Sequence, residues 1–437
     1  MVKVAEEIGN AGVPVGYQTV FGPGGIPTAE DHVPELASWW QRIKVWDQMW
    51  RSDSRIAATV RAVQQPIIGA RWHVRQGNAS EEVTGFIADQ LNLPVLGQSE
   101  QEQVTPDRVR HRFNWPAFMR HVTLSMVYGF MVFEQVYQPV AGGRVGLKKL
   151  APRLPHTLTT DGLIVAEDGG LVGVRQRTPG GVSVEIPVDR LVVFVFDQIG
   201  ANWTGRSLLR PVFGDWKLKR HALETNAVFI DRNGAGVPVV IGPDMSMLEP
   251  DDQREAMREY QEIAENYRAG DMAGVALPYG AQLQFRGVYG TQADLLGTVR
   301  YHDAEIAASV LAHFASLATA RNGSRALGGT LVELFNDSLN ATAAEFANVV
   351  TAHVVEDLVD LNWGPSEPAP SVGCDEIGLN LDALVGLMGQ LHGAELLRAD
   401  WETEEWVRRQ AGLPPKFGGT PPPPGVTSPN SPSGGDG

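Results

Sequence analysis

The sequence predicts an α+β fold, and three patterns along the chain support this class. Apolar residues recur at helical spacing over residues 33–63. Short alternating or apolar segments between glycine and proline turns occupy residues 129–196, a pattern typical of antiparallel strands. Two long helical stretches, 207–232 and 291–317, enclose a segment with both strand and helix signals. With 437 residues, 43% of them hydrophobic, the chain can bury a large core.

The N-terminal part is predicted to be an extended arm followed mainly by helices. Residues 1–30 are rich in glycine and proline and show no period, which favours the arm. Two consecutive helices are expected over 33–63, and residues 66–74 are predicted to form a strand. Four tryptophans of the helical stretch have the spacing of a packing face, so we expect them to be buried in the core or at a subunit contact: Trp39, Trp40, Trp46 and Trp50.

Helices are next predicted at 80–93 and 115–128, before the block of strands at 129–196. The helix at 207–232 ends at Asn233 and Gly234, a pair typical of a helix C-terminus. Beyond it, the pattern predicts strands at 237–241, 275–277 and 282–287 and a charged helix at 250–268. A polar segment with several glycines follows the helix at 291–317, and a further long helix is predicted at 330–361.

Charge and cysteine usage exclude several classes of protein. The chain carries 36 basic and 51 acidic residues, a net charge of −15, which argues against a protein that grips nucleic acid over most of its surface. Residues 201–235 have a net charge of +3 and residues 345–405 a net charge of −12. Cys374 is the single cysteine, so the chain can form neither an intrachain disulfide nor a cysteine-based zinc site. We find no signal-peptide pattern and no apolar run of membrane-spanning length, and expect a soluble, cytosolic protein.

Motifs for catalysis or for a cofactor are missing from the sequence. It contains no phosphate-binding Gly-x-x-x-x-Gly-Lys-Ser/Thr loop, no Gly-x-Ser-x-Gly and no His-Glu-x-x-His. His302 and His313 are eleven residues apart on one predicted helix and cannot ligate one ion without a third element. We therefore predict no catalytic residue, no metal site and no cofactor.

One stretch carries a recognisable pattern. From Asp197 the chain leaves an aromatic strand end, passes through Gly-Arg-Ser-Leu-Leu-Arg-Pro at 205–211 into a long helix, and leaves that helix through Gly-x-Gly-Val-Pro at 234–238. This order resembles the portal proteins of tailed phages, most of all the Mu-like portal family. Three later segments are similar as well: Leu-Pro-Tyr-Gly at 277–280, Glu305–Ile306 before an alanine-rich run, and Asn-Gly-Ser-Arg-Ala at 322–326. The resemblance covers residues 113–413.

The resemblance implies a subunit with a mixed α/β wing, two long stem helices flanking a small α/β clip, and a helical C-terminal crown. The implied ranges are an N-terminal arm at 1–30, wing 31–206, first stem helix 207–234, clip 235–290, second stem helix 291–318, tunnel loop 319–329, wing/crown connecting helix 330–365, crown 366–412 and a disordered tail at 413–437.

It also implies a function without catalysis. Portal subunits form a ring, usually of 12 copies, at one capsid vertex, and the ring is the conduit for DNA packaging and ejection. The implied partners are other copies of the chain, double-stranded DNA, the terminase large subunit of the packaging motor, the major capsid protein and a head-completion or adaptor protein. The expected location is the virion, after assembly in the host cytoplasm, and no membrane contact is expected.

The residues expected to act on DNA are basic or polar. In the tunnel loop they are Arg321, Asn322, Ser324 and Arg325, and on the first stem helix they are Lys217, Lys219 and Arg220. The first alternative is an enzyme of unknown mechanism that uses acidic residues of the C-terminal region. The second is a capsid or scaffold component, not a portal, that only oligomerises.

Overall fold

A computed structural model describes residues 17–21, 27–31, 33–97, 113–233, 237–266, 276–277, 279–286, 294–311, 325–378 and 408. The described chain divides into two compact units. One unit comprises residues 211–309, and the other comprises the parts of the chain before and after it.

Ten α-helices lie in the described ranges. They are α1 (Trp39–Ser52), α2 (Ser54–Gly69), α3 (Glu81–Leu91), α4 (Trp115–Val122), α5 (Leu124–Tyr128), α6 (Phe213–Asn233), α7 (Pro250–Asn266), α8 (Leu295–Leu311), α9 (Arg325–Val350) and α10 (Glu356–Trp363). A π-helical turn, Thr351–Val355, joins α9 to α10.

Twelve strands in the described ranges form five antiparallel sheets. The strands are β1 (Tyr17–Phe21), β2 (Pro27–Asp31), β3 (Trp72–Arg75), β4 (Phe130–Pro139), β5 (Val145–Arg153), β6 (Leu158–Val165), β7 (Leu171–Arg177), β8 (Ser183–Pro187), β9 (Leu191–Val195), β10 (Val237–Ile241), β11 (Gln282–Arg286) and β12 (Ser371–Cys374). The three-stranded sheets have the orders β5–β4–β9 and β6–β7–β8, and the two-stranded sheets pair β1 with β2, β3 with β12 and β10 with β11.

Local capping explains where α1 and α2 begin. The Ser38 hydroxyl accepts from the backbone N–H of Gln41, whose side chain accepts from the backbone N–H of Ser38, a reciprocal cap. Asp53 then accepts from the backbone N–H groups of Arg55 and Ile56 and starts α2. The predicted strand at 66–74 is wrong in its first half, because α2 continues through Pro66 to Gly69 and β3 begins at Trp72. The buried residues Val60, Val63 and Ile67 keep the helical period across the proline, so packing outweighs the lost hydrogen bond.

The core of the larger unit is built around aromatic rings that pack edge to face. Phe118 of α4 packs on Phe133 of β4 with ring centroids 4.9 Å apart. Phe194 of β9 contacts both Phe133 and Phe346 of α9, at 5.7 Å in each case and nearly edge-on. Rings in this geometry stabilise a core beyond the area they bury. Helix α9 is thereby part of the same core as the sheet β5–β4–β9.

The four tryptophans of the first helix differ in burial. Trp46 is 2% exposed and lies in the core, whereas Trp39, Trp40 and Trp50 are half-buried within the subunit. The indole N–H of Trp39 donates to the carbonyl of Thr160 (3.1 Å), and the Lys44 ammonium lies 3.7 Å from the centre of the Trp40 ring. The expectation of burial in the core therefore holds for Trp46.

The π-helical turn is held by two other elements of the larger unit. The Gln135 amide of β4 donates to the carbonyl of His353 (2.9 Å) and to the Asp357 carboxylate (2.7 Å). The Thr351 hydroxyl accepts from the backbone N–H of Val372 in β12 (3.0 Å). Because a π turn leaves backbone carbonyls without their usual helical partners, these side chains stabilise it.

Two further segments differ from the sequence prediction. The helix expected from 207 begins at Phe213, because the backbone N–H groups of Arg206 and Leu208 donate to the carbonyls of Phe196 and Met126 instead. The segment expected to start a helical crown at 366 contains the strand β12, which pairs with β3.

The smaller unit consists of two long helices, α6 and α8, and the elements between them. Its two strands β10 and β11 are antiparallel, with Val239 opposite Gln284. Helix α7 contacts this pair, and its buried Tyr260 lies against Gly242, where a Cβ atom would be 2.6 Å from the tyrosine ring. The sequence predicted a strand at 275–277, but the two residues of it that the structure describes, 276 and 277, belong to no strand.

Candidate functional site

The Gly-Arg-Ser-Leu-Leu-Arg-Pro segment forms a tight junction between β9 and α6. Gly205 has a φ of +57°, and Gly129 has a φ of +93°. A Cβ atom on Gly205 would collide with the carbonyl oxygen of Gly129, and one on Gly129 would collide with that of Thr204. Only glycine combines this backbone conformation with so close an approach.

Polar side chains of the same segment fix the junction. The buried Ser207 hydroxyl donates to the carbonyl of Val127 and accepts from the backbone N–H of Leu209 (3.0 Å). Arg210 donates through two nitrogens to Asp31, at 2.5 and 2.9 Å, and the Asp31 side chain is 3% exposed. The charge-assisted bonds from Arg210 to Asp31 thus tie the motif that carries the family resemblance to the N-terminal hairpin.

Helix α6 has one buried stripe and a charged outer face. Its buried residues repeat every three positions, at Phe213, Trp216, Lys219 and Ala222. Of the predicted DNA-contacting residues, Lys217 and Arg220 are exposed on the outer face. Arg220 pairs with Glu224 at 2.9 Å, one turn further along.

Lys219, the third predicted DNA-contacting residue of this helix, is buried within the subunit. It is 6% exposed, and its ammonium nitrogen lies 2.6 Å from a carboxylate oxygen of Asp303 in α8. The sequence alone groups Lys219 with its exposed neighbours, because the Asp303 partner that accompanies its burial lies in a different helix.

Exposed apolar side chains flank the buried stripe of α6 on both sides. Leu223 and Ile230, seven residues apart, lie along one flank and are 45% and 57% exposed. Leu218 and Val228 lie towards the other flank and are 57% and 50% exposed. A helix with two apolar flanks of this kind has more apolar surface than its own unit covers, which is typical of an interaction surface. These four residues are not among the sites predicted above, although the sequence does show them as apolar positions outside the buried stripe of α6.

The predicted tunnel loop lies mainly outside the described residues. Arg321, Asn322 and Ser324 are not described, and Arg325 is the first residue of α9. Their role as DNA contacts stays a prediction.

Two carboxyl groups of the larger unit, those of Glu345 and Asp357, have raised pKa values. Burial raises the pKa of the Glu345 carboxyl, and the charge of Asp197 raises it further. Burial also raises the pKa of Asp357, against the hydrogen bond from Gln135 that lowers it. Within the described ranges, no group of three or more His, Cys, Asp or Glu side chains is arranged to hold a metal ion.

No described helix combines the length and the apolar character that a membrane crossing requires.

Comparison with known families decides the assignment. A family model described as "Portal protein of Mu bacteriophage" matches residues 43–413. The chain belongs to this family. Its function is accordingly that of a portal protein at a capsid vertex, and members of this family are structural proteins. The alternative of an enzyme that uses acidic residues of the C-terminal region is not supported.

Solved structures with the same fold come from gene transfer agent particles. A chain from the virion of a native gene transfer agent particle is 14% identical to this portal protein and has a TM-score of 0.52; the match covers 91% of this chain and 96% of that one. A chain from the neck of an empty particle, computed with C6 symmetry, is 13% identical and has a TM-score of 0.52. That match covers 91% of this chain and 96% of the neck chain. A chain from the neck of a native particle, computed with C12 symmetry, is 14% identical and has a TM-score of 0.50. That match covers 86% of this chain and 94% of the neck chain. At these identities the similarity establishes a shared mixed helix and strand fold.

Proposed function

We propose that this portal protein assembles into a closed ring of 12 copies at one vertex of a virion, and that double-stranded DNA passes through the ring during packaging and ejection. The apolar flanks of α6 carry this proposal. In a cyclic ring each subunit contacts its two neighbours through two different surfaces, so a helix packed side by side with its copies needs apolar residues on both flanks. The C12 symmetry used for the similar neck chain agrees with the copy number.

The layout of the subunit is proposed to follow that of the family. Helices α6 and α8 are proposed as the stem, the segment between them as the clip, and the larger unit as the wing. The division of the chain at residues 211 and 309 supports this arrangement. The crown is proposed for the part of 366–412 that follows β12.

The channel is proposed to act mechanically and electrostatically, without catalysis. A net charge of −15 on each subunit repels the phosphate backbone and keeps DNA mobile. Arg321 and Arg325, with Asn322 and Ser324, are proposed to contact the DNA singly and weakly, and Lys217 and Arg220 offer exposed cations on α6. The proposed partners are the terminase large subunit, the major capsid protein and a head-completion protein, and assembly is proposed to take place in the host cytoplasm.

Ring formation can be tested with one flank of α6. The double variant Leu223→Glu, Ile230→Glu places charges on an apolar flank that is exposed in the subunit, so the subunit should fold while the ring is lost. His221→Glu, an exposed change elsewhere on the same helix, is the matched control and should keep the ring. Negative-stain microscopy and light scattering measure the copy number, and circular dichroism measures folding. A parent protein that stays monomeric or dimeric at every salt concentration would contradict the proposal.

A further inference from the structure

One ion pair and one contact between a carboxylate and an imidazole join α6 to α8 in the smaller unit. Asp215 of α6 lies 2.8 Å from the imidazole Nδ1 of His302, and Lys219 lies 2.6 Å from Asp303. The His302 and Lys219 side chains are buried, at 9% and 7% exposed, whereas the Asp215 and Asp303 side chains are 28% and 32% exposed. Because Asp215 and Lys219 are one helical turn apart and His302 and Asp303 are adjacent, two successive turns of α6 engage one turn of α8.

We infer that these four residues form a register lock, which fixes α6 and α8 against sliding past each other by one helical turn. Lys219 is then a positioning residue within the subunit, not a contact to DNA.

The order of the charges carries this inference. Along α6 a carboxylate precedes a cation, and along α8 the imidazole precedes a carboxylate. Sliding by one turn in one direction brings His302 beside the ammonium of Lys219 and leaves Asp215 without its partner. Sliding in the other direction brings Asp303 beside Asp215, two carboxylates. Either shift separates at least one buried charge from its partner, which strongly disfavours it.

The apolar residues buried on α6 and α8 are of mixed size. They include the large side chains Trp216 and Ile306 and the small side chains Ala222 and Ala307. One-turn displacements are a known type of conformational change between packed helices. Buried polar pairs are well suited to prevent one, since their best-attested role is to specify register.

The experiment separates register from stability by rearranging the charges. The twofold variant Lys219→Asp, Asp303→Lys exchanges the two members of one pair, so each acidic side chain still faces a basic one. Positions 215 and 219 of α6 are then both acidic, and positions 302 and 303 of α8 are both basic. A shifted register then still pairs opposite charges. Exchanging the other pair as well, through Asp215→Lys and His302→Asp, restores the alternation.

Helix register is measured by the distance between two spin labels. His221 and Arg300 are exposed on α6 and α8, so cysteines at these positions in a Cys374→Ser chain carry the labels, with labelled subunits diluted into unlabelled ones. The parent and the fourfold variant should each give a single distance. The twofold variant should add a population shifted by about 5 Å, one turn of helix.

Single variants control for stability. Lys219→Met should lower the melting temperature, whereas Lys217→Met, an exposed lysine two residues away, should not. The twofold variant should have a melting temperature close to that of the parent, because an acidic and a basic side chain still face each other in both pairs. If the twofold variant keeps only the parent's distance, or if Lys219→Met melts like Lys217→Met, the register lock is wrong. Neither result depends on whether the ring forms or conducts DNA, so the inference can fail independently of the proposed function.

Discussion

At the junction before α6, Gly205 and Gly129 pack backbone against backbone and leave no room for a side chain. Gly205→Ala should therefore destabilise the larger unit by about 3 kcal/mol or more, through a left-handed backbone and a direct collision. Gly85→Ala is the control, because Gly85 is inside α3 with no atom near its absent Cβ, and should stabilise by up to about 1 kcal/mol. Thermal and denaturant unfolding measure both. A Gly205→Ala chain as stable as the parent would show that the junction is not rigid.

Asp357, beside the π-helical turn, gives the protein a specific dependence on pH. Burial raises the pKa of its carboxyl in the folded state, against Gln135 and His353, which lower it; Asp360 and Asp189 raise it further. A raised pKa means that the folded state holds the proton more tightly than the unfolded state. The stability linked to Asp357 is therefore present at low pH and is lost as the pH rises through the raised pKa.

Asp357→Asn removes this loss while retaining an oxygen that accepts the Gln135 hydrogen bond. The variant should melt at a higher temperature than the parent at neutral pH, and the difference should shrink as the pH falls towards the ordinary pKa of aspartate. Melting curves between pH 4 and about 8 measure it. A difference that grows on acidification would contradict the assignment.

At the scale of elements, α1 contributes one tryptophan to the core and presents three others partly to solvent. Trp46→Ala should cost about 3–5 kcal/mol, because the 2%-exposed indole would leave a cavity in packed surroundings. Trp50→Ala, at a half-buried site on the same helix, should cost clearly less in the isolated subunit. Denaturant unfolding of the two variants provides the comparison. Equal losses in the free energy of unfolding would contradict the assignment of Trp46, and not Trp50, to the core.

The sequence predicts those elements whose signals are local. The strands of 129–196 are marked by alternation and by glycine turns, and the end of α6 is marked by Asn233. Strand β12 has only four residues and pairs with β3, nearly three hundred residues earlier, so no nearby pattern marks it. The same holds at the site: Lys219 carries no local sign of burial, because its partner Asp303 belongs to another helix.

At the scale of the whole molecule, the family assignment and the structure support different parts of the account. The match to residues 43–413 gives the portal function, whereas the exposed flanks of α6 support our proposal that copies of the chain meet there. The proposed passage of DNA is consistent with the acidic composition, because carboxylate charges repel phosphate charges. In this proposal a few cations restrain the DNA between steps.

The segment 319–329 is proposed to supply those cations, through Arg321 and Arg325. Each arginine forms a single salt-screened contact with phosphate, so the loop can restrain DNA without binding it firmly. The double variant Arg321→Ala, Arg325→Ala should leave ring assembly intact, as seen by microscopy, and should reduce the amount of DNA packaged or retained in particles. Lys217→Ala on α6 tests whether the effect belongs to this segment or to any exposed cation. Particles of the double variant that package and retain DNA like the parent would refute the loop's role, while the ring itself would stand.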